Sequence, residues 1–156
     1  LRNFDAAAWR EISRTATTSA SSKASIYGSD LKGEALKLAR ANLEAAGLAD
    51  VVSLKQANVL EISAPASEGV LITNPPYGVR IGESEALAEL YPKLGDVLKK
   101  KFAGWRACIF TADLRLPKQI GLKPSKRTPL FNGPLECRLY EFRMVSGPMR
   151  REKQVP

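Results

Sequence analysis

Short apolar runs alternate with longer segments of helical periodicity along these 156 residues, and this alternation most constrains the fold. The runs have the length and composition of strands and lie near residues 24–28, 51–55, 70–73 and 106–111. Apolar residues at helical spacing occupy residues 31–46 and 84–102 between them. Strands that alternate with helices predict an α/β fold with a mostly parallel sheet.

The ends of the predicted helices carry recognisable signals. A first, short helix over residues 5–14 would follow an Asp cap, and residues 15–25 read as a loop or a weak helix extension. The second helix is predicted to end at Gly47. Its apolar face would contain Leu31, Ala35, Leu38, Ala39, Leu43 and Ala46. Ser84 is expected to cap the third helix, whose last turn is basic and which Gly104 follows.

An Asn132-Gly133 pair gives the strongest hairpin signal in the chain. It predicts a strand that ends near Phe131 and a partner over about 135–145, which would be the one antiparallel strand of the sheet. In the strand over 135–145 the alternation of apolar and polar residues shifts by one position at Leu139-Tyr140, which indicates a bulge or burial on both faces. With no internal repeat, the chain reads as one domain with a basic tail over about 147–156.

Composition excludes several kinds of chemistry. There is no histidine, so serine–histidine or cysteine–histidine catalysis and histidine metal sites are excluded, and no metal is expected. Cys108 and Cys137 lack metal-like spacing and are expected to be small buried hydrophobes. No run of some 18 apolar residues or secretory signal is present, so no membrane partner and a cytoplasmic location are expected.

The net charge of +8 is unevenly distributed. Residues 1–98 hold 10 Lys/Arg against 12 Asp/Glu, a balance of −2, whereas residues 99–156 hold 14 against 4, a balance of +10. A basic half either binds a polyanion or is a solvated lysine-rich face with a basic tail.

Polar side chains follow three of the predicted strands, at Asp30, Asn58 and Asn74. Ligands of open α/β sheets bind outside the carboxyl ends of the strands, so these three side chains predict a ligand site. Asp30 could accept hydrogen bonds from both hydroxyls of a ribose or serve as a helix N-cap. Asn58 either reads an adenine amino group through its amide oxygen or is an ordinary loop residue.

The most informative turn is Asn74-Pro75-Pro76-Tyr77, directly after the apolar run 70–73. The Asn74 side-chain oxygen and the Pro75 carbonyl are two acceptors that no proline N–H competes with. They could accept both N–H groups of an exocyclic amine and draw its nitrogen toward pyramidal geometry, while Tyr77 stacks on the base. This tetrapeptide resembles the hallmark of S-adenosylmethionine-dependent amino-methyltransferases, in which these residues act in catalysis and substrate binding.

Two further residues belong to this turn. Gly78 lets the backbone turn closely, and Arg80 either holds a phosphate of the substrate or is a solvated loop charge.

Four segments together resemble a specific family, and they are Tyr27-Gly28-Ser29-Asp30, Asn74-Pro75-Pro76-Tyr77-Gly78-Val79-Arg80, Phe102-Ala103-Gly104-Trp105 and Asn132-Gly133-Pro134-Leu135-Glu136-Cys137. The family is that of the bacterial large-subunit ribosomal RNA guanine-N2 methyltransferases, which often carry an N-terminal THUMP RNA-binding domain. The resemblance implies a Rossmann-like methyltransferase fold, S-adenosylmethionine bound by Asp30, Asn58 and Asn74, and ribosomal RNA as partner. It further implies N2-methylguanosine in 23S RNA as the product.

The sequence departs from the family at two places. Asn58 stands where the family usually has an acid, and the family's glycine-rich loop after its first strand is absent. The chain therefore reads as a partial domain that lacks the first strand, and alone it is expected to lack cofactor binding, activity and independent stability. Two rival interpretations stay open: an amino-methyltransferase for DNA adenine N6 or protein glutamine, and a non-catalytic RNA-binding piece.

Overall fold

The computed structural model describes residues 4–18, 24–75 and 83–145. The chain forms two compact units, Leu1–Gln56 and Ala57–Pro156. The prediction of one partial domain stays a prediction, and the predicted tail over 147–156 lies outside the described residues.

The first unit contains two helices and a two-stranded parallel sheet. Its elements are α1 (Ala6–Thr18), β1 (Ile26–Asp30), α2 (Gly33–Ala45) and β2 (Val52–Gln56). Asp5 caps α1 as predicted, because its Oδ1 accepts the N–H groups of Ala7 and Ala8 at 2.8 and 3.0 Å. These hydrogen bonds lower the pKa of the Asp5 carboxyl.

The face predicted for α2 was partly wrong. Leu31 precedes the helix, which begins at Gly33, and both Leu31 and Leu38 are exposed. Leu36 is the buried residue instead. The predicted face was counted from Leu31, two residues before the true start of the helix. Gly47 has a φ of 68° just beyond the helix, as its predicted role as the terminator requires.

The second unit is built on a four-stranded sheet. Its elements are β3 (Gly69–Thr73), α3 (Glu83–Lys101), β4 (Trp105–Thr111), α4 (Leu116–Gln119), β5 (Lys126–Asn132) and β6 (Leu135–Arg143). The strand order is β3-β4-β6-β5, with β3 parallel to β4 and β6 antiparallel to both of its neighbours. The predicted α/β sheet with a C-terminal antiparallel hairpin is thus present.

The apolar stripe of α3 packs into the main core, as its periodicity predicted. The buried core contains Leu87, Tyr91, Leu94, Leu98, Phe102, Ile109, Leu116, Ile120, Tyr140 and Phe142. The helix begins at Glu83, so Ser84 lies inside it and is not the cap that the sequence suggested. None of the described helices is long and apolar enough to cross a membrane.

A glycine and a tryptophan fix the start of β4. Gly104 has a φ of 87°, and a Cβ there would overlap the carbonyl oxygen of Ser67. The indole Nε1–H of Trp105 donates to the carbonyl of Ala66 at 2.8 Å, and its ring meets Phe102 edge-on at 5.6 Å. This part of the sequence resemblance therefore has a structural explanation.

The terminal hairpin forms where the Asn132-Gly133 pair predicted it, but Asn132 ends β5 and pairs with Leu135, so the turn itself is Gly133-Pro134, with a φ of 59° at Gly133. The pairing of β6 with both neighbours is continuous, so the phase change marks burial on both faces rather than a bulge. Cys137 and Tyr140 are both buried, although they point to opposite faces of β6. Cys108 and Cys137 are free and buried, as predicted.

Candidate active site

Asn74 and Pro75 directly follow β3 and lie at the carboxyl edge of the four-stranded sheet. Thr73, the last residue of β3, pairs with Ile109 of β4, so the ends of these two parallel strands meet at this edge. Asn74 is exposed and Pro75 is half-buried. Asn74 and Pro75 therefore place an amide and a backbone carbonyl in consecutive residues at this edge, and their recognition of an exocyclic amine stays a prediction.

The other residues predicted in this turn, Pro76, Tyr77, Gly78 and Arg80, lie outside the described residues. Their stacking and phosphate-binding roles stay predictions.

A second polar segment follows the neighbouring strand, and the sequence analysis did not identify it. Thr111 ends β4 fully buried, and its Oγ1 accepts the N–H of Asp113 at 3.0 Å. Asp113 Oδ1 in turn accepts the N–H of Arg115 at 2.9 Å and the guanidinium Nε–H at 3.1 Å. The side-chain hydrogen bond and the charge of Asp113 raise the pKa of the Arg115 guanidinium. The sequence pattern that could have identified this segment is the Thr-x-Asp formed by Thr111 and Asp113 at the end of a predicted strand.

Asn58 is half-buried and holds its own turn. Its Oδ1 accepts the N–H of Leu60 at 3.0 Å, and its backbone carbonyl accepts the N–H of Glu61 at 2.9 Å. This is the local turn that asparagine commonly forms. Asn58 therefore has a structural role. Its amide oxygen keeps a second lone pair and its amide nitrogen has two N–H groups, which are the groups that an adenine contact would use. That contact stays a prediction.

Asp30 is the last residue of β1 and is exposed. Its Oδ1 accepts the N–H of Lys32 at 2.7 Å, which closes a short turn before α2. Lys32, and not Asp30, occupies the N-cap position of α2. The helix-cap alternative is therefore wrong, and the ribose role stays a prediction.

Among residues 4–18, 24–75 and 83–145, no group of three or more cysteine or acidic side chains could hold a metal ion.

Comparison with known proteins decides the family. The model of the family described as "RMKL-like, methyltransferase domain" matches residues 2–141. The chain belongs to this family. Structural relatives of this RMKL-like domain are methyltransferases too, so the predicted Rossmann-like methyltransferase fold is confirmed.

A curated relative of the RMKL-like chain is the ribosomal RNA large subunit methyltransferase K/L of Shewanella sp. strain W3-18-1. The two are 39% identical over an alignment of 159 positions, which covers 99% of this chain and 22% of the relative. The chain thus spans about a fifth of the length of the curated relatives it matches.

Two solved structures resemble this RMKL-like domain. SMU.472, assigned as a methyltransferase and crystallised with SAH, is 32% identical with a TM-score of 0.78, over 94% of this chain and 39% of that one. A protein of Listeria monocytogenes named as a predicted N6-adenine-specific DNA methylase is 28% identical with a TM-score of 0.67. That match covers 76% of this chain and 30% of the other.

Proposed function

We propose that this chain is part of an enzyme that methylates the N2 amine of a guanosine in large-subunit ribosomal RNA, with S-adenosylmethionine as methyl donor. The observation that carries the proposal is the position of Asn74 and Pro75 directly after β3, at the carboxyl edge of the sheet, in a chain of the RMKL-like methyltransferase family.

The chemistry assigned to Asn74 and Pro75 follows from the electronic structure of the amine. Its lone pair is delocalised into the base, which makes the nitrogen a poor nucleophile. When Asn74 Oδ1 and the Pro75 carbonyl accept hydrogen bonds from its two N–H groups, the nitrogen is drawn toward pyramidal geometry, so its lone pair is less delocalised and points at the sulfonium methyl. As the N–CH3 bond forms, the S–CH3 bond of the sulfonium breaks and S-adenosylhomocysteine leaves, and the methylated nitrogen then loses one proton to solvent. Catalysis depends on positioning and electrostatics and needs no strong base, which agrees with a chain that has no histidine.

The cofactor assignment draws on Asp30 and Asn58. S-adenosylmethionine supplies an activated methyl group as a sulfonium. Asp30 is an exposed carboxylate with the acceptor chemistry that ribose hydroxyls need, and Asn58 carries amide groups of the kind that read adenine. The solved relative SMU.472 binds SAH, the demethylated form of this cofactor.

The choice of ribosomal guanosine draws on two kinds of support. The curated relatives carry the name ribosomal RNA large subunit methyltransferase. The Gly78-Val79-Arg80 continuation and the Asn132-Gly133-Pro134-Leu135 hairpin resemble the guanine-N2 enzymes rather than the adenine or glutamine ones.

Methylation of DNA adenine is the second candidate, because one structural relative is named for that activity at 28% identity. It requires methyl transfer to duplex DNA and none to ribosomal RNA.

The test is transfer of labelled methyl groups to ribosomal RNA by the full-length protein and by its Asn74→Ala variant. We expect the substitution to lower the rate about 10²- to 10³-fold, as when a preorganised polar group is removed from other active sites. Asn42→Ala, at an exposed position of α2, is the matched control and should retain normal activity. Near-normal methylation by Asn74→Ala would refute the catalytic role and favour a non-catalytic RNA-binding protein.

A further inference from the structure

A groove with four basic side chains lies beside the end of β4 in the second unit. The groove is open to solvent and has a volume of about 470 Å³. Its lining residues are Leu114, Arg115, Pro117, Lys118, Arg127, Arg138 and Tyr140, and we call it the basic groove. No acidic side chain is among them.

The hairpin places three of these residues on one face of the sheet. Arg127 of β5 pairs directly with Tyr140 of β6, and cross-strand partners share a face. Arg138 lies two residues before Tyr140 and therefore points to the same side. The Tyr140 hydroxyl lies 3.4 Å from the carbonyl of Leu114, to which it donates, and so holds the segment after β4 against this face.

The charges of the basic groove are only partly neutralised. Arg115 is paired with Asp113 at 3.1 Å, and Arg138 with Glu136 at 2.6 Å. Within the described part of the chain, neither Arg127 nor Lys118 forms an ion pair. Two of the four cations therefore remain for a ligand.

The opposite face of the same hairpin has a different balance. Lys126 precedes Arg127 and lies 3.7 Å from Glu141, which also meets Arg106 at 4.0 Å. Lys126 is thus engaged within the protein, while its neighbour Arg127 faces the groove. These adjacent residues form a natural comparison, because each carries one positive charge on the same edge strand.

The basic groove lies at the same region of the sheet as Asn74. Thr73, Ile109, Tyr140 and Arg127 form one cross-strand row, and Asn74 is the next residue after Thr73. At about 4.8 Å per strand, β6 lies roughly 10 Å and β5 roughly 14 Å from β3. Because charges of one strand lie about 3.4 Å apart along a stacked B-form duplex and farther apart in an extended strand, a few nucleotides span this distance.

We propose that the basic groove binds phosphate groups of the RNA strand a few nucleotides from the base held at Asn74, with Arg127 and Lys118 as the main contacts. The inference rests on the proposed function. Arginine and lysine neutralise backbone phosphates without reading sequence, so the groove would position the strand and leave base choice to the turn at Asn74.

The test compares Arg127→Gln with Lys126→Gln in the full-length protein. The equilibrium affinity for a ribosomal RNA fragment is measured over a range of salt concentrations, together with kcat and KM for methylation. We expect Arg127→Gln to weaken RNA affinity about threefold to tenfold, reduce the salt slope by about 0.7 to 0.9, and raise KM with kcat unchanged. Lys126→Gln should change none of these, and Arg127→Lys should restore most of the affinity.

Equal effects of Arg127→Gln and Lys126→Gln would overturn the inference, because they would show only a general charge effect. Unchanged RNA affinity in Arg127→Gln, with loss of binding to a polyglutamate peptide, would also overturn it in favour of an acidic protein partner. Thermal unfolding of each variant checks that the hairpin is intact. A wild-type protein that binds RNA through Arg127 but transfers no methyl group to it would refute the proposed function and not the groove.

Discussion

At the scale of single residues, Asn58 illustrates how one side chain combines a structural and a proposed ligand role. Its Oδ1 accepts the N–H of Leu60 and so closes a local turn. The guanine-N2 methyltransferases that the sequence resembles usually have an acidic residue at the position of Asn58. A carboxylate could keep that turn bond and also offer a charged acceptor to an adenine amino group. A hydrogen bond to a charged acceptor is roughly twice as strong as a neutral one.

We therefore predict that Asn58→Asp tightens binding of S-adenosylmethionine to the full-length protein by about threefold to tenfold in calorimetric titration. Asp30→Ala is the matched loss-of-function variant and should abolish measurable binding. Weaker binding by Asn58→Asp, with the fold intact, would show that Asn58 does not contact adenine through an acceptor.

Cys108 gives a prediction about pH. Burial, and secondarily the negative charge of Glu141, raise the pKa of its thiol, against an opposing effect of Arg106. The folded state thus holds this proton more tightly than the unfolded state, so the free energy of unfolding falls as pH rises from the unfolded pKa towards the folded one. Urea unfolding at pH 7 and at about pH 9.5 should show this loss in the wild type, and a smaller loss in Cys108→Ala. An identical loss in both proteins would contradict it.

At the scale of elements, α3 is held by a close approach to the segment after α4. Gly95 is buried in the middle of α3, and a Cβ there would overlap the carbonyl oxygen of Ile120. Only glycine allows this contact without displacement of the backbone.

Gly95→Ala should accordingly lower the free energy of unfolding by about 1–3 kcal/mol, although alanine favours an exposed helix over glycine by about 1 kcal/mol. Chemical denaturation measures the change. Lys100→Ala, at an exposed position of the same helix, should stay within about 0.5 kcal/mol of the wild type. A stabilised Gly95→Ala would mean that the helix does not pack on Ile120 in this way.

The elements that the sequence predicts well are those with strong local signals. Three such elements are the apolar stripe of α3, the hairpin signalled by Asn132-Gly133 and the strand before Asn74. Each depends on residues that are close in sequence, so periodicity and turn chemistry suffice to predict it. The basic groove could not be predicted in this way, since the hairpin brings Arg127 and Arg138 to the segment that contains Leu114 only in the folded chain. The four residues of α4 are also too few to show a period.

At the scale of the whole molecule, the basic side chains of residues 99–156 fall into two groups, those that make contacts within the fold and those that line the basic groove. Lys101 Nζ–H groups lie 3.4 and 3.3 Å from the carbonyls of Leu60 and Glu61, and Lys99 lies 3.7 Å from Asp96. These lysines at the end of α3 support the fold locally. The side chains of the basic groove, in contrast, are placed for an anionic ligand at the edge where Asn74 lies.

The central claim is that the product is N2-methylguanosine in large-subunit ribosomal RNA, and nucleoside mass spectrometry tests it most directly. The full-length protein would be incubated with S-adenosylmethionine carrying a labelled methyl group and with ribosomal RNA, duplex DNA and a Gly-Gly-Gln protein in parallel, before digestion and analysis. We predict label in N2-methylguanosine from the ribosomal RNA alone, and none with Asn74→Ala. Label in N6-methyladenine of the DNA or in methylated glutamine, with none in the RNA, would contradict the account.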